Sequence, residues 1–121
     1  MKAMTSLCLF GVLLAAKSSA SLIYTTSYND HSVNLLALNG SSLSVVDKDY
    51  NCGSEPTWLT LNPNYGRTVL YCLNEGWGGN ASITTYQVRV DGTLNATQIL
   101  PVLRSPVASN MIDSKNLAVA F

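Results

Sequence analysis

The 121-residue sequence is poor in charge, in histidine and in long apolar runs, and each shortage removes a class of function. Only 12% of the residues are charged, and beyond the first twenty the basic ones fall singly at Lys48, Arg67, Arg89, Arg104 and Lys115. Nucleic-acid binding needs basic side chains concentrated enough to displace counterions, so no nucleic-acid partner is expected. Beyond the first twenty residues one histidine, His31, and two cysteines, Cys52 and Cys72, are too few for a structural zinc site. A Gly-X-Ser-X-Gly nucleophile elbow, a Gly-X-X-X-X-Gly-Lys phosphate loop and a His-Glu-X-X-His metal helix are all missing. The cluster Gly76-Trp77-Gly78-Gly79 precedes no helical pattern and reads as a turn.

The apolar run from Leu7 to Ala16 is about ten residues long, well short of the ~20 needed to cross a bilayer. Preceded by Lys2 and followed by Ser18-Ser19-Ala20, it has the pattern of a cleavable export signal. Residues 1–20 are therefore expected to be the signal, cut after Ala20, and residues 21–121 the exported fold. Removing Lys2 and Lys17 leaves five basic against seven acidic side chains, a net charge of −2. No second apolar span or basic amphipathic stretch follows, so no membrane association is expected after cleavage.

An extracellular destination gives meaning to two other features. Three Asn-X-Ser/Thr sequons make Asn39, Asn80 and Asn95 candidate glycosylation sites, although Asn also favours turns without any sugar. With Cys8 removed, Cys52 and Cys72 remain as an even pair; in an oxidising compartment a disulfide is expected. The alternative is that Cys72, inside the apolar run Val69 to Leu73, is only a small buried side chain.

What is abundant is short β-like runs separated by turn signals, with no sustained 3.6-residue period. Strands are expected over Ser21 to Ser27, Val33 to Leu38, Leu43 to Val46, Trp58 to Leu61, Val69 to Leu73, Ile83 to Val90 and Leu94 to Val102. In the sixth run Thr84, Tyr86, Val88 and Val90 share one face while Thr85, Gln87 and Arg89 share the other, as in a half-exposed strand. Val69 to Leu73 is apolar on both faces and reads as a strand between two neighbours. Asn62-Pro63-Asn64-Tyr65-Gly66 and Asp91-Gly92 supply hairpin turns. The runs recur: Ile23-Tyr24 matches Leu70-Tyr71 after 47 residues, and Leu70 matches Leu117 at the same spacing. Gly40-Ser41-Ser42-Leu43 matches Asp91-Gly92-Thr93-Leu94, and Glu55-Pro56-Thr57-Trp58 matches Ser105-Pro106-Val107-Ala108. A four-stranded unit repeating with a period in the forties is the signature of propeller blades.

The stretches Cys52-Gly53-Ser54-Glu55-Pro56-Thr57-Trp58-Leu59-Thr60-Leu61, Thr68-Val69-Leu70-Tyr71-Cys72-Leu73-Asn74-Glu75-Gly76, Ser82-Ile83-Thr84-Thr85-Tyr86 and Asp91-Gly92-Thr93-Leu94 resemble, in order, the fungal branch of the seven-bladed lactonase family. That family includes 6-phosphogluconolactonase and carboxy-cis,cis-muconate cyclase and is also called the cycloisomerase 2 family. The resemblance covers Ser21 to Phe121. It implies an all-β partial seven-bladed β-propeller of about two four-stranded antiparallel blades, the N-terminal portion of a ring that these residues do not close. It also implies lactone hydrolysis or carboxymuconate cycloisomerisation, without metal or organic cofactor, on a small-molecule lactone or carboxylate. The open faces require missing blades or other copies of the chain to cover them, and the sequence reads as a fragment or truncated gene product too short to act alone.

Ligands of propellers bind where loops converge at one end of the channel. Counting strands gathers Ser27 to Ser32, Asp47 to Pro56, Asn74 to Asn80 and Pro101 to Pro106 at that end, with His31, Glu55, Glu75, Trp77 and Arg104 among them. Lactone chemistry needs a proton-transfer group and a cation for the substrate anion or the developing oxyanion. Glu75 is the candidate base, Arg104 the candidate clamp, and His31 a further proton carrier; each also reads as an ordinary solvated loop residue. Trp58 is expected in the core and Trp77 as an exposed contact. Two other readings remain: a secreted propeller that binds or scaffolds without catalysis, and a 100-residue domain that assembles with its own copies.

Overall fold

The computed structural model describes residues 20–63 and 68–121; residues 1–19 of the expected export signal and residues 64–66 of the expected Asn62 to Gly66 turn lie outside these residues. Nine strands occur among the described residues: β1 (Ser21–Ser27), β2 (Ser32–Asn39), β3 (Ser42–Asp49), β4 (Pro56–Asn62), β5 (Val69–Asn74), β6 (Ser82–Val88), β7 (Leu94–Pro101), β8 (Ala108–Met111) and β9 (Leu117–Ala120). They form three antiparallel sheets ordered β1-β2-β3, β4-β5-β6-β7 and β8-β9, so each strand lies beside its neighbour in sequence. The sheets hold three, four and two strands, one four-stranded blade flanked by partial ones, as expected of an unclosed partial propeller.

The repeat seen in the sequence is a repeat of structure. In the first sheet the register slips between Leu35 and Leu36, leaving Val46 as an extra residue on β3. In the second it slips between Thr85 and Tyr86, leaving Thr97 extra on β7. The bulge therefore recurs between the last two strands of both sheets, where an inserted residue increases local twist.

Alternation on β6 positions the core. Thr84 and Tyr86 are fully buried, opposite Cys72 and Leu70 of β5. With Val33 of β2, Cys52 and Leu94 of β7, they fill the space between the first and second sheets, and Tyr24, Leu59, Val88 and Ala96 pack around them. Each large apolar side chain buried there contributes roughly 1.5–3 kcal/mol. The Tyr24 hydroxyl donates to the Gly92 carbonyl at 2.6 Å, pinning β1 to the β6–β7 turn. Burial, and secondarily the Asp91 carboxylate, raise the pKa of that phenol. Gly92 has φ +87, a left-handed backbone that favours glycine, and a Cβ there would sit 2.5 Å from Leu22 Cδ1, the movable tip of an exposed side chain.

The second and third sheets meet through polar groups instead. Trp58 Nε1 donates to the Ser109 carbonyl at 2.9 Å, and the Thr60 hydroxyl lies 3.0 Å from that carbonyl and 2.7 Å from Ser109 Oγ. Asn62 Nδ2 donates to the Ser114 carbonyl at 3.1 Å. Trp58 was expected in the core but is 44% exposed, because its ring lies over the small residues of β8 and β9 instead of between complete sheets.

Candidate functional site

Chain direction decides which loops meet. β1, β3, β5 and β7 finish at the end where β2, β4, β6 and β8 begin, so residues 28–31, 50–55, 75–81 and 102–107 all emerge there. A disulfide joins Cys52 to Cys72, with Cα atoms 5.9 Å apart and both residues fully buried. It fastens the loop between β3 and β4 to β5. The loop it closes, of about twenty residues, stabilises the fold by roughly 3 kcal/mol in the chain-entropy account.

Glu75 follows directly on β5, and its carboxylate is held from two sides. Tyr28, on the β1–β2 loop, donates its hydroxyl to Oε1 at 3.1 Å; Trp77 donates its indole N–H to Oε2. The Tyr28 and Trp77 rings stand 5.6 Å apart, tilted by 38°, so an aromatic pair flanks the acid. Thr57 at the start of β4 lies 3.0 Å from the Tyr28 hydroxyl and 3.1 Å from the Glu55 carbonyl, and shares its single proton between them. Each carboxylate oxygen retains a lone pair beyond the one used, so Glu75 remains able to accept a proton from a bound water.

His31 stands one residue before β2 with φ +54, a left-handed backbone in a non-glycine residue. Its Nδ1 lies 2.5 Å from the Ser54 carbonyl. A carbonyl can only accept, so Nδ1 carries a proton. Ser54 in turn donates to Glu55 Oε2 at 2.5 Å. Lys48 pairs with Asp30 at 2.7 Å, tying β3 to the β1–β2 loop. Arg104 is exposed on the connection from β7 to β8 and lines an open hollow of about 410 Å³ with Pro101, Val102, Leu103 and Phe121. It makes no hydrogen bond or ion pair among the described residues. The structure thus gathers Glu75, Trp77 and Tyr28, places His31 on the same β1–β2 loop as Tyr28 and Glu55 on the β3–β4 loop, and leaves Arg104 outside that hydrogen-bonded group. Tyr28 and Thr57 were not anticipated as members; the only sequence signal for them is their place at strand ends on the loop side. Asn39, Asn80 and Asn95 are all exposed. No cluster of ligating side chains fit to hold a metal occurs among the described residues.

Antiparallel meander sheets of up to four strands, a bulge repeated from sheet to sheet and ligand-type loops collected at one end define a β-propeller whose ring these strands do not close. The chain belongs to the lactonase family of seven-bladed β-propellers, whose family model matches residues 16–120. No curated protein and no solved structure matches it.

Proposed function

We propose that this chain forms part of a secreted lactonase-type propeller that opens a lactone, or closes one reversibly by carboxymuconate-type cycloisomerisation, at the loop end centred on Glu75. The observation that carries the reading is the Glu75 carboxylate, fixed by Tyr28 and Trp77 at the loop end of a lactonase-family fold. In hydrolysis, water adds to the lactone carbonyl and gives its proton to Glu75. The ring C–O bond then breaks, and that proton passes to the departing hydroxyl. Arg104 serves as the cation for a substrate anion or the oxyanion, and His31 Nε2 as a second proton acceptor. Export is supported by the sequence of residues 1–20, by the Cys52–Cys72 bridge and by the exposure of all three sequon asparagines. Ring closure comes from further blades or from other copies of the chain.

The test is gluconolactone hydrolysis by the ring-closed protein, beside Glu75→Gln and Arg104→Ala. Each variant is expected to lose on the order of 10²-fold in rate, the scale of general base catalysis. Wild-type rates in both would remove the site. One observation favours the alternative of a binding protein without catalysis: both Glu75 oxygens already hold hydrogen bonds, as a purely structural carboxylate would. In that case a lactone binds but is not opened.

A further inference from the structure

Asn74 precedes Glu75 at the end of β5 and is 2% exposed. A primary amide has one acceptor oxygen and two N–H donors, and here all are used. Oδ1 accepts the Glu55 backbone N–H at 2.9 Å. Nδ2 donates to the Asn80 carbonyl at 2.7 Å and to Ser82 Oγ at 3.2 Å. These partners belong to three segments: the loop before β4, the loop after β5, and β6. The backbone adds a parallel tie, Glu75 N–H to the Glu55 carbonyl at 3.0 Å. Gly53, at φ +122, lies so close over the amide that a Cβ would fall 2.3 Å from Nδ2. The disulfide two residues earlier on β5 clamps the same loop. No other described side chain on that end spans three segments in this way.

We infer that Asn74 is a positioning residue for Glu75: its amide fixes the two ends of the loop that carries Glu75 and Trp77, and so holds the carboxylate in its working orientation. The inference rests on the role given to Glu75 under the proposed function. Cutting the amide back takes the partner from the Glu55 N–H and the Asn80 carbonyl, two part-buried contacts, so the loop shifts to bring both to water. A shift of about 1 Å at a catalytic group costs up to ~10²-fold in rate.

The experiment measures turnover of gluconolactone and the emission of Trp77, the latter in a Trp58→Phe background, in the ring-closed protein. The variants are Asn74→Ala, the isosteric Asn74→Asp, Glu75→Gln and Asn74→Ala/Glu75→Gln. Asn74→Ala is expected to lower kcat roughly 10- to 100-fold with KM little changed. The double variant is expected to be no slower than Glu75→Gln alone, since Asn74 acts through Glu75. Trp77 emission in Asn74→Ala is expected to move to that of Glu75→Gln. Asn74→Asp keeps the acceptor for Glu55 but loses the amide donors, and is expected to lie between; it decides the matter if the alanine variant does not fold. Multiplying losses in the double variant, or Trp77 emission that stays at the wild-type position, overturn the inference. Full activity in Glu75→Gln removes the proposed catalytic role instead, and the emission measurement then still decides whether Asn74 positions the loop.

Discussion

Tyr86 shows how a single side chain joins two blades. Its ring is fully buried in the apolar core, and its hydroxyl donates to Asp49 Oδ1 at 2.6 Å across the gap between the second and first sheets. Burial, then the hydrogen bond and charge of Asp49, push the phenol far above its ordinary value of 10.0. A raised phenol means that the folded state holds this proton more tightly, so the stability it gives is complete below pH 10.0 and is lost as pH rises further. Tyr86→Phe is expected to destabilise by about 1 kcal/mol at neutral pH, the net worth of one hydrogen bond. The gap between variant and wild type should narrow in urea titrations run above pH 10.0. At this scale the sequence was partly legible. Glu75 and His31 stood out as polar residues in loops, whereas Tyr28 did not, because an aromatic beside a strand reads as packing. Asn74 was hidden for a different reason: its value lies in three contacts from separate segments, and no local pattern encodes those.

Strands and turns were the most legible features, since period-two alternation and Gly-containing turns act locally. β1, β5 and β7 lie within a residue of their expected limits. β3 runs on to Asp49 where apolar content had suggested an end at Val46, because β2 continues to pair with Asp47, Lys48 and Asp49. β6 stops at Val88 instead of Val90: the Arg89 N–H turns to the Thr93 carbonyl and the Gly92 N–H to the Arg89 carbonyl, closing the turn early. β8, reading Ala-Ser-Asn-Met, carried too little β-branched character to be seen as a strand, and is formed by pairing with β9. The β6–β7 turn offers a test of one element. Gly92→Ala adds a Cβ against Leu22 at a left-handed backbone position and is expected to cost about 1–3 kcal/mol. Gly78→Ala, where a Cβ meets nothing within 4 Å, should leave the thermal midpoint almost unchanged.

Over the whole molecule, the repeat predicted a ring and the strands form an unclosed part of one. Leu22 and Ile23 of β1 and Leu43, Val45 and Val46 of β3 are 38–57% exposed, on sheets whose outer strands have unpaired edges. Such surfaces seek partners. The 121-residue chain expressed by itself is expected to bind a hydrophobic dye and to sediment as an assembly. A compact monomer that excludes the dye would contradict the propeller arrangement.

The bond between Cys52 and Cys72 also gives the chain a closed circuit. All of β4 lies inside it, so the peptide backbone is not the sole thread running from the first blade into the second. A protease that cuts anywhere from residue 53 to residue 71 would change the mass only by one added water, and the two halves would travel together until a reductant parted them.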